Sequence, residues 1–212
     1  MRSKFFNYGG LAAAVVLIAF GIGSLVMGVN GRDTVRTSIG KEAIVGTPDM
    51  TPKAIAAAAK EAGLKNVDIP SMSVAGKKID TGAEAKAFAQ YMRIHALEST
   101  GGQVYAEMGR FIDASGKPTS DEKAAAKDPK TGRPVENGLR NLWVTETALS
   151  TALNTSYFAE NVANFAIVMG VALLLTGIGF LVLALGLVRV PDRREAESVK
   201  PAPATTAVPV AS

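Results

Sequence analysis

Two long apolar runs dominate the pattern of hydrophobic and polar positions along the chain. The first covers residues 8–29 and the second covers residues 165–188, and neither contains an Asp, Glu, Lys or Arg. As helices rising 1.5 Å per residue, the two runs reach about 33 and 36 Å, enough to cross a hydrocarbon core of about 30 Å. The pattern therefore predicts two transmembrane helices.

The segment between the runs, residues 30–164, is polar and carries helical signals in three places. A threonine followed by proline, an Ala-rich run and a closing glycine predict a short helix over residues 51–63. Small and apolar positions recur every three or four residues from 83 to 97, which predicts a second helix. No Pro or Gly interrupts residues 139–169, so a third helix is expected to run straight into the second apolar run.

The other parts of this segment are irregular in pattern. Glycines and a proline within residues 30–50 argue against a long uninterrupted helix after the first run. Short extended pieces are expected at 67–69 and 78–80, residues 103–113 are ambiguous between strand and helix, and residues 114–138 are expected to be a loop. The predicted fold is an α-rich membrane protein, with two transmembrane helices and an extracytoplasmic, mainly helical domain between them.

Two packing surfaces are expected within the predicted helices. In the third helix, the spacing of Leu142, Leu149 and Leu153 suggests one packed face. Trp143 lies too far before the second run for an interfacial position and is expected to anchor the packing of the domain. Small residues spaced four apart within the runs allow close helix approach; they are Ala19/Gly23, Ser24/Gly28 and Ala166/Gly170.

The net charge of +4 is distributed unevenly along the chain. Residues 32–160 hold 17 basic and 16 acidic residues, so no basic surface for nucleic acid is indicated. The excess lies in the flanks, in residues 1–7 before the first run and in residues 189–212 after the second. Basic flanks favour the cytoplasmic side, so both termini are expected in the cytoplasm and residues 30–164 outside it, in a multi-pass protein of the cell membrane.

The end segments carry two further expectations. The Pro/Ala-rich composition of residues 189–212 predicts a disordered cytoplasmic tail. The first run is N-terminal and follows basic residues, so a cleaved signal peptide is an alternative to an anchor. Its apolar core exceeds the roughly 7–15 residues of a signal peptide and lacks a clear Ala-x-Ala cleavage site, which favours retention.

Candidate chemistry is sparse. The chain has no Cys and a single His, which excludes disulfides, thiolate sites and two-His metal sites within one copy. His95 and Glu98 share a helix face and are able to share a proton, but an ordinary hydrogen-bonded or solvated histidine is the simpler interpretation.

Threonines at 147, 151 and 155 form a polar ridge near Glu146 and Asn154. The ridge is a site for a sugar or lipid headgroup, or its hydroxyls bond to their own helix, or it packs against a neighbouring helix. We therefore predict no catalytic, cofactor-binding or metal residues, no cofactor and no enzyme activity.

Three stretches carry a resemblance to known proteins. TPDMTP at 47–52, FAQYMRIHALESTGG at 88–102 and WVTETALSTALNTSYFAE at 143–160, together with the second run, resemble actinobacterial two-span membrane proteins of unknown function. Such proteins are often labelled aromatic ring-opening dioxygenases. That chemistry typically needs iron held by two His and a carboxylate, and His95 stands alone, so the label is taken as a misannotation and implies no functional residue here.

Two functions of different classes follow. The first is a non-enzymatic integral membrane protein of the cell envelope with a structural or protein-interaction role, whose partners are the bilayer and a second copy or another envelope protein. The alternative is an accessory subunit of an envelope complex that binds a lipid or small molecule. A pocket lined by Met92, His95, Trp143 and Tyr157 would favour the alternative, and a continuous stripe of small residues would favour the first.

Overall fold

The computed structural model describes residues 2–186, with side chains from residue 8 onward. The described part is helix-rich, as predicted, and contains four helices and two very short strands. In chain order they are α1 (Arg2–Lys41), α2 (Pro52–Glu61), α3 (Gly82–Ser99), β1 (Phe111–Ile112), β2 (Pro118–Thr119) and α4 (Gly138–Ala184). The predicted tail at 189–212 lies outside the described residues, as do the last two residues of the second apolar run.

Helices α1 and α4 contain the two apolar runs. Each is long and apolar enough to cross a membrane, with mean hydropathies of 2.4 and 2.6 in their most apolar windows. Only 17% and 11% of the residues in those windows are buried, whereas a core helix of a soluble protein is mostly buried. Helix α4 begins before the run and continues into it without a break, which confirms the predicted continuous helix.

Helix α1 continues beyond the first apolar run to Lys41, so the expected interruption after residue 29 is wrong. Gly31 lies within the helix, where a Cβ added to it would meet the Ala163 side chain at 3.5 Å. Ile39 near the helix end is buried in the core. Tertiary contacts of this kind outweigh the roughly 1 kcal/mol that a helical glycine costs. The turn comes at Ala43, which has a φ of 51°.

Helices α2 and α3 both begin after a threonine cap, of which the Thr51 cap of α2 was predicted. The Thr51 side chain accepts a hydrogen bond from the Ala54 amide and Pro52 occupies the first turn of α2. Thr81 caps α3 in a reciprocal arrangement, in which its hydroxyl accepts from the Glu84 amide and the Glu84 carboxylate accepts from the Thr81 amide. Satisfying these first-turn amides fixes both helix starts.

The contacts divide the chain into two compact units. One combines residues 2–22 with 171–186, and the other is Gly23–Gly170. In the first unit the two helices approach closely at Gly177, where a Cβ would lie 2.8 Å from the Ile18 side chain. Only a glycine therefore permits this approach of the two backbones.

Helix α3 lies at the centre of the Gly23–Gly170 unit. Its side chains are buried on several faces, including Ala85, Ala89, Tyr91 and Ile94, so burial extends beyond the stripe that spacing predicted. The Tyr91 hydroxyl donates to the Met72 carbonyl at 3.1 Å, which gives its buried polar end a partner. A second small cluster joins Ala96 and Trp143 with Met108.

The packed face of α4 differs from the predicted one. Leu153 is buried, but Leu142 and Leu149 are 41% and 47% exposed. The residues that turn inward are Trp143, Leu153 and two carboxylates, Glu146 and Glu160. The leucine spacing failed as a guide because two acidic side chains, paired with distant arginines, occupy the inner face instead.

The irregular segments form small β structures. Strands β1 and β2 pair antiparallel, with Phe111 opposite Thr119, so the ambiguous region contains a strand at its end and part of the expected loop is paired. The extended pieces expected at 67–69 and 78–80 do not form named strands. Lys78 makes only an isolated antiparallel bridge with Val45.

Candidate functional site

Glu160 links three helices within the Gly23–Gly170 unit. Its carboxylate on α4 is nearly buried, and Oε1 accepts from Nε of Arg36 on α1 at 2.7 Å and lies 2.6 Å from Nη2 of the same guanidinium. Oε2 accepts from the backbone amide of Gly82, the first residue of α3. An acidic group at a helix N-terminus accepts an unsatisfied amide and interacts favourably with the helix dipole. The carboxylate therefore ties α1 and α3 to α4.

Gly82 is required for this contact. A Cβ at this position would lie 2.8 Å from the Glu160 carboxylate and 2.8 Å from the Tyr157 Cα, distances at which the helices would have to move apart. Lys86, one turn further along α3, places its ammonium 4.7 Å from the centre of the Tyr157 ring. The first turns of α3 thus lie directly on α4.

A second buried carboxylate joins the C-terminal half of α3 to the N-terminal part of α4. Glu146 is 4% exposed, and its Oε2 accepts from Nη1 of Arg93 at 3.0 Å. Its Oε1 accepts from the Ser150 hydroxyl at 2.6 Å. The Arg93 guanidinium carbon lies 4.0 Å from the centre of the Trp143 ring, so the cation is both ion-paired and stacked. As expected, Trp143 is buried and packs the domain.

His95 lies between two carboxylates. Nδ1 is 2.8 Å from the Glu98 carboxylate, as the shared helix face predicts, and Nε2 is 3.1 Å from the Asp49 carboxylate. A hydrogen bond from the Thr47 side chain is the main cause of a lowered pKa at Asp49, opposed by desolvation. Within the described residues, no set of three His, Asp or Glu side chains is arranged to hold a metal ion. The contacts of His95 connect α3 to the segment after α1.

The threonine ridge on α4 bonds to its own helix. The Thr151 hydroxyl donates to the Thr147 carbonyl at 2.7 Å, and the Thr155 hydroxyl donates to the Thr151 carbonyl at 2.8 Å. Of the interpretations of this ridge, bonding of the hydroxyls to their own helix is the one its geometry shows. All three threonines are exposed.

An open cleft lies between α3, α4 and the segment after α2. It has a volume of about 460 Å³ and mixed charge, with Lys65, Asp68, Gln90, Arg93 and Asn154 among its lining residues. Pockets that hold small ligands have volumes of about 300–1,000 Å³, so the cleft is large enough for one. Several of its lining groups are already paired, since Gln90 donates to Asp68 at 2.9 Å and Arg93 donates to Glu146 at 3.0 Å.

The four residues whose shared pocket would favour the alternative function lie in separate places. Met92 and His95 line one groove on α3, together with Leu142 of α4. Trp143 lines a different groove, between Tyr105 and the exposed side of α4. Tyr157 instead contacts Lys86 at the start of α3.

The sequence did not reveal the roles of Arg36, Arg93, Glu146 and Glu160. One signal was present, because Glu146 and Glu160 are the only charged residues between Arg140 and Arg189. Two isolated acids on an otherwise uncharged helix indicate a specific buried role for each. Their partners come from distant parts of the chain, so spacing alone does not identify them.

Comparisons with protein-family models, curated proteins and solved structures find no match for this chain. The resemblance to actinobacterial two-span proteins stays a prediction. The candidate site is therefore interpreted from its own geometry, in which the ionisable groups of α3 and α4 connect helices to one another.

Proposed function

We propose that the chain is a non-enzymatic integral membrane protein of the cell envelope, with a structural or protein-interaction role. The observation that carries this proposal is the use of charged side chains in α3 and α4. Glu146 and Glu160 are buried, each with an arginine from another helix, and His95 contacts two carboxylates. The two carboxylates are buried and the two arginines are 46% and 44% exposed, so loss of such a charged hydrogen bond is expected to cost about 1.5–3 kcal/mol, and these groups contribute to the integrity of the domain.

The proposal places both termini in the cytoplasm and the domain between the spans outside it. The basic flanks of the apolar runs support this orientation. Contacts near the end of the first run support its retention as an anchor. The Ser24 hydroxyl donates to the Ala166 carbonyl at 2.7 Å, and a Cβ at Gly28 would lie 2.7 Å from the Ile167 side chain. Cleavage near residue 30 would remove both contacts.

Affinity purification from native membranes tests the proposed role. The tagged chain, expressed at its natural level and extracted in mild detergent, is expected to bring down protein in a fixed ratio, either a second copy or another envelope protein. A membrane protein with two unrelated spans serves as the control bait. Recovery of the chain alone, under conditions that preserve a known envelope complex, would contradict an interaction role.

The cleft supports the second candidate, an accessory subunit that binds a lipid or small molecule. Its volume fits a small ligand, and its lining offers donors and acceptors from α3 and α4. Mass spectrometry of the extracted protein distinguishes the two candidates. A compound bound in a fixed ratio, lost in Gln90→Trp and kept in the exposed control Gln103→Trp, would favour the accessory subunit. A protein partner unaffected by Gln90→Trp would favour the interaction role.

A further inference from the structure

The exposed side of α4 over residues 141–164 carries no charge. The charged residues of this segment are Glu146 and Glu160, and both carboxylates are buried in ion pairs with other helices. A helix that faces water usually carries charged as well as polar residues on its exposed side. The outer side of this segment has polar residues, such as Asn141, Asn154 and Asn161, but no charged one, which points to a surface that another molecule covers.

The exposed residues on this side recur with a regular spacing. Steps of four and three residues alternate along a row that we call the neutral stripe: Val144, Ala148, Thr151, Thr155, Phe158 and Val162. All six are exposed, with Phe158 at 68% and Val144 at 53%. Alternation of three and four is the spacing of the contact positions in a coiled coil. The stripe is therefore suited to a second helix lying along α4.

The two hydroxyls on the stripe itself are already satisfied. The hydroxyls of Thr151 and Thr155 donate to carbonyls of their own helix. Covering a hydroxyl donor that lacks a partner costs about 1–3 kcal/mol, and this cost is avoided for both threonines. The stripe threonines thus keep their hydrogen bonds when a second helix covers them.

We propose that the neutral stripe is the contact surface for α4 of a second copy of this chain, in a parallel pair. This inference rests on the proposed interaction role and names its partner. Two copies inserted in the same direction have parallel α4 helices, so a twofold axis along the membrane normal places each stripe residue opposite its own counterpart. A self-contact of this kind brings like charges together wherever the surface is charged, and the stripe is uncharged.

The dimensions of the stripe are compatible with such a pair. From Val144 to Val162 the helix rises about 27 Å, and the same spacing continues through Phe165 and Met169, which are 65% and 39% exposed. Stable interfaces bury about 800 Å² per partner. Phe158 and Phe165, each about two-thirds exposed, together offer roughly 250 Å². The remaining stripe residues and their flanks supply further area along the same line.

Cysteine cross-linking tests the pair directly, because the natural chain contains no cysteine. Thr151→Cys and Phe158→Cys place a thiol on the stripe, and Leu149→Cys provides a matched exposed position on another side of α4. Each variant is oxidised mildly in its native membrane. A disulfide requires Cα atoms within about 7 Å, so only residues facing their counterparts react efficiently. We expect a product of twice the 22.0 kDa chain mass for both stripe positions, at least about tenfold above the control.

A charge placed on the stripe provides a second measurement. Ala148→Glu, combined with the Thr151→Cys reporter, is expected to reduce the cross-linked product about tenfold or more, because two carboxylates would face each other. Leu149→Glu with the same reporter is expected to leave it unchanged. Equal cross-linking at 149 and 151, or no cross-linking at either stripe position, would overturn the pairing.

The outcomes also separate this inference from the proposed function. Cross-linking of Thr151→Cys to a protein of another mass would overturn the second-copy assignment and leave the interaction role intact. A chain purified from native membranes without any protein partner, and without a cross-linked product, would overturn both.

Discussion

Within the second small cluster, formed by Ala96, Met108 and Trp143, replacement of Trp143 by alanine should destabilise the domain most. The indole is 5% exposed, packs with Ala96 and Met108, and lies beneath the Arg93 guanidinium at 4.0 Å. Truncation removes the ring from this cluster and takes away the surface on which Arg93 stacks.

The expected loss follows from the buried area. A buried indole removes about 200 Å² from water, which corresponds to about 5 kcal/mol at 25 cal/mol per Å². This figure is an upper estimate, because the unfolded chain already buries part of that surface. Loss of the stacking on Arg93 contributes about 0.5–1 kcal/mol more. We expect a total of about 3–5 kcal/mol for Trp143→Ala, within the usual range for such truncations.

Amide hydrogen exchange in α3 is the appropriate assay, because the spans do not unfold with the domain. Trp143→Ala is expected to speed exchange across α3 peptides in mild detergent, and Trp143→Phe should have a smaller effect because it keeps an aromatic ring. His95→Ala, at a 33% exposed side chain, should cost about 0.5–1.5 kcal/mol for its lost hydrogen bonds. Equal or greater loss in His95→Ala than in Trp143→Ala would refute the packing role assigned to the indole.

Three further predictions use the same exchange assay. Glu160→Ala leaves the buried Gly82 amide without an acceptor, while the half-exposed Arg36 guanidinium is solvated, and should cost about 1–3 kcal/mol, whereas the exposed control Glu122→Ala should stay within about 0.5 kcal/mol; equal effects would contradict the linking role of Glu160. Gly28→Ala should cost about 1–3 kcal/mol, because its Cβ would lie 2.7 Å from a side-chain carbon of α4, whereas Gly23→Ala, with nothing within 4 Å, should be tolerated. Because this contact lies within the apolar runs, it is read from exchange of the α1 amides around residue 28 instead of the α3 amides. Desolvation raises the pKa of the Glu84 carboxyl, but hydrogen bonds from Thr81 and the Asp80 amide outweigh it, so the pKa is lowered from 4.5. The stability that Glu84 contributes to the start of α3 is therefore present above pH 4.5 and is lost as the pH falls through the folded pKa. Glu84→Gln should remove this part of the acid dependence of α3 protection, and an unchanged acid profile would contradict the capping role.

The helices were predictable where local signals agree with tertiary packing. The start of α2 followed from Thr51 and Pro52, and the continuity of α4 followed from the lack of Pro and Gly over 139–169. The continuation of α1 past Gly31 was not predictable, because its residues pack against distant parts of the chain, as the burial of Ile39 in the core and the Arg36–Glu160 pair show. Tertiary packing outweighs the low helix propensity of glycine at this point, and the sequence alone does not show which distant residues pack there.

The candidate site was less predictable than the helices. The pairing of His95 with Glu98 followed from their spacing, but its contact with Asp49 crosses from α3 to the segment after α1. The inward face of α4 was misassigned because apolar spacing was expected to define it. Glu146 and Glu160 are buried there because arginines from α3 and α1 pair with them. Residue spacing in the sequence does not reveal such long-range pairs.

Native mass spectrometry of the protein released from membranes with its surrounding lipid tests the central claim most directly. The proposed interaction role predicts a complex whose mass exceeds that of one 22.0 kDa chain by a whole second copy, or by another envelope protein. The Ala148→Glu variant, with its charge on the neutral stripe, should shift that mass to the single chain. A wild-type protein that is monomeric at its natural level, while a control membrane complex survives the same release, would contradict the account.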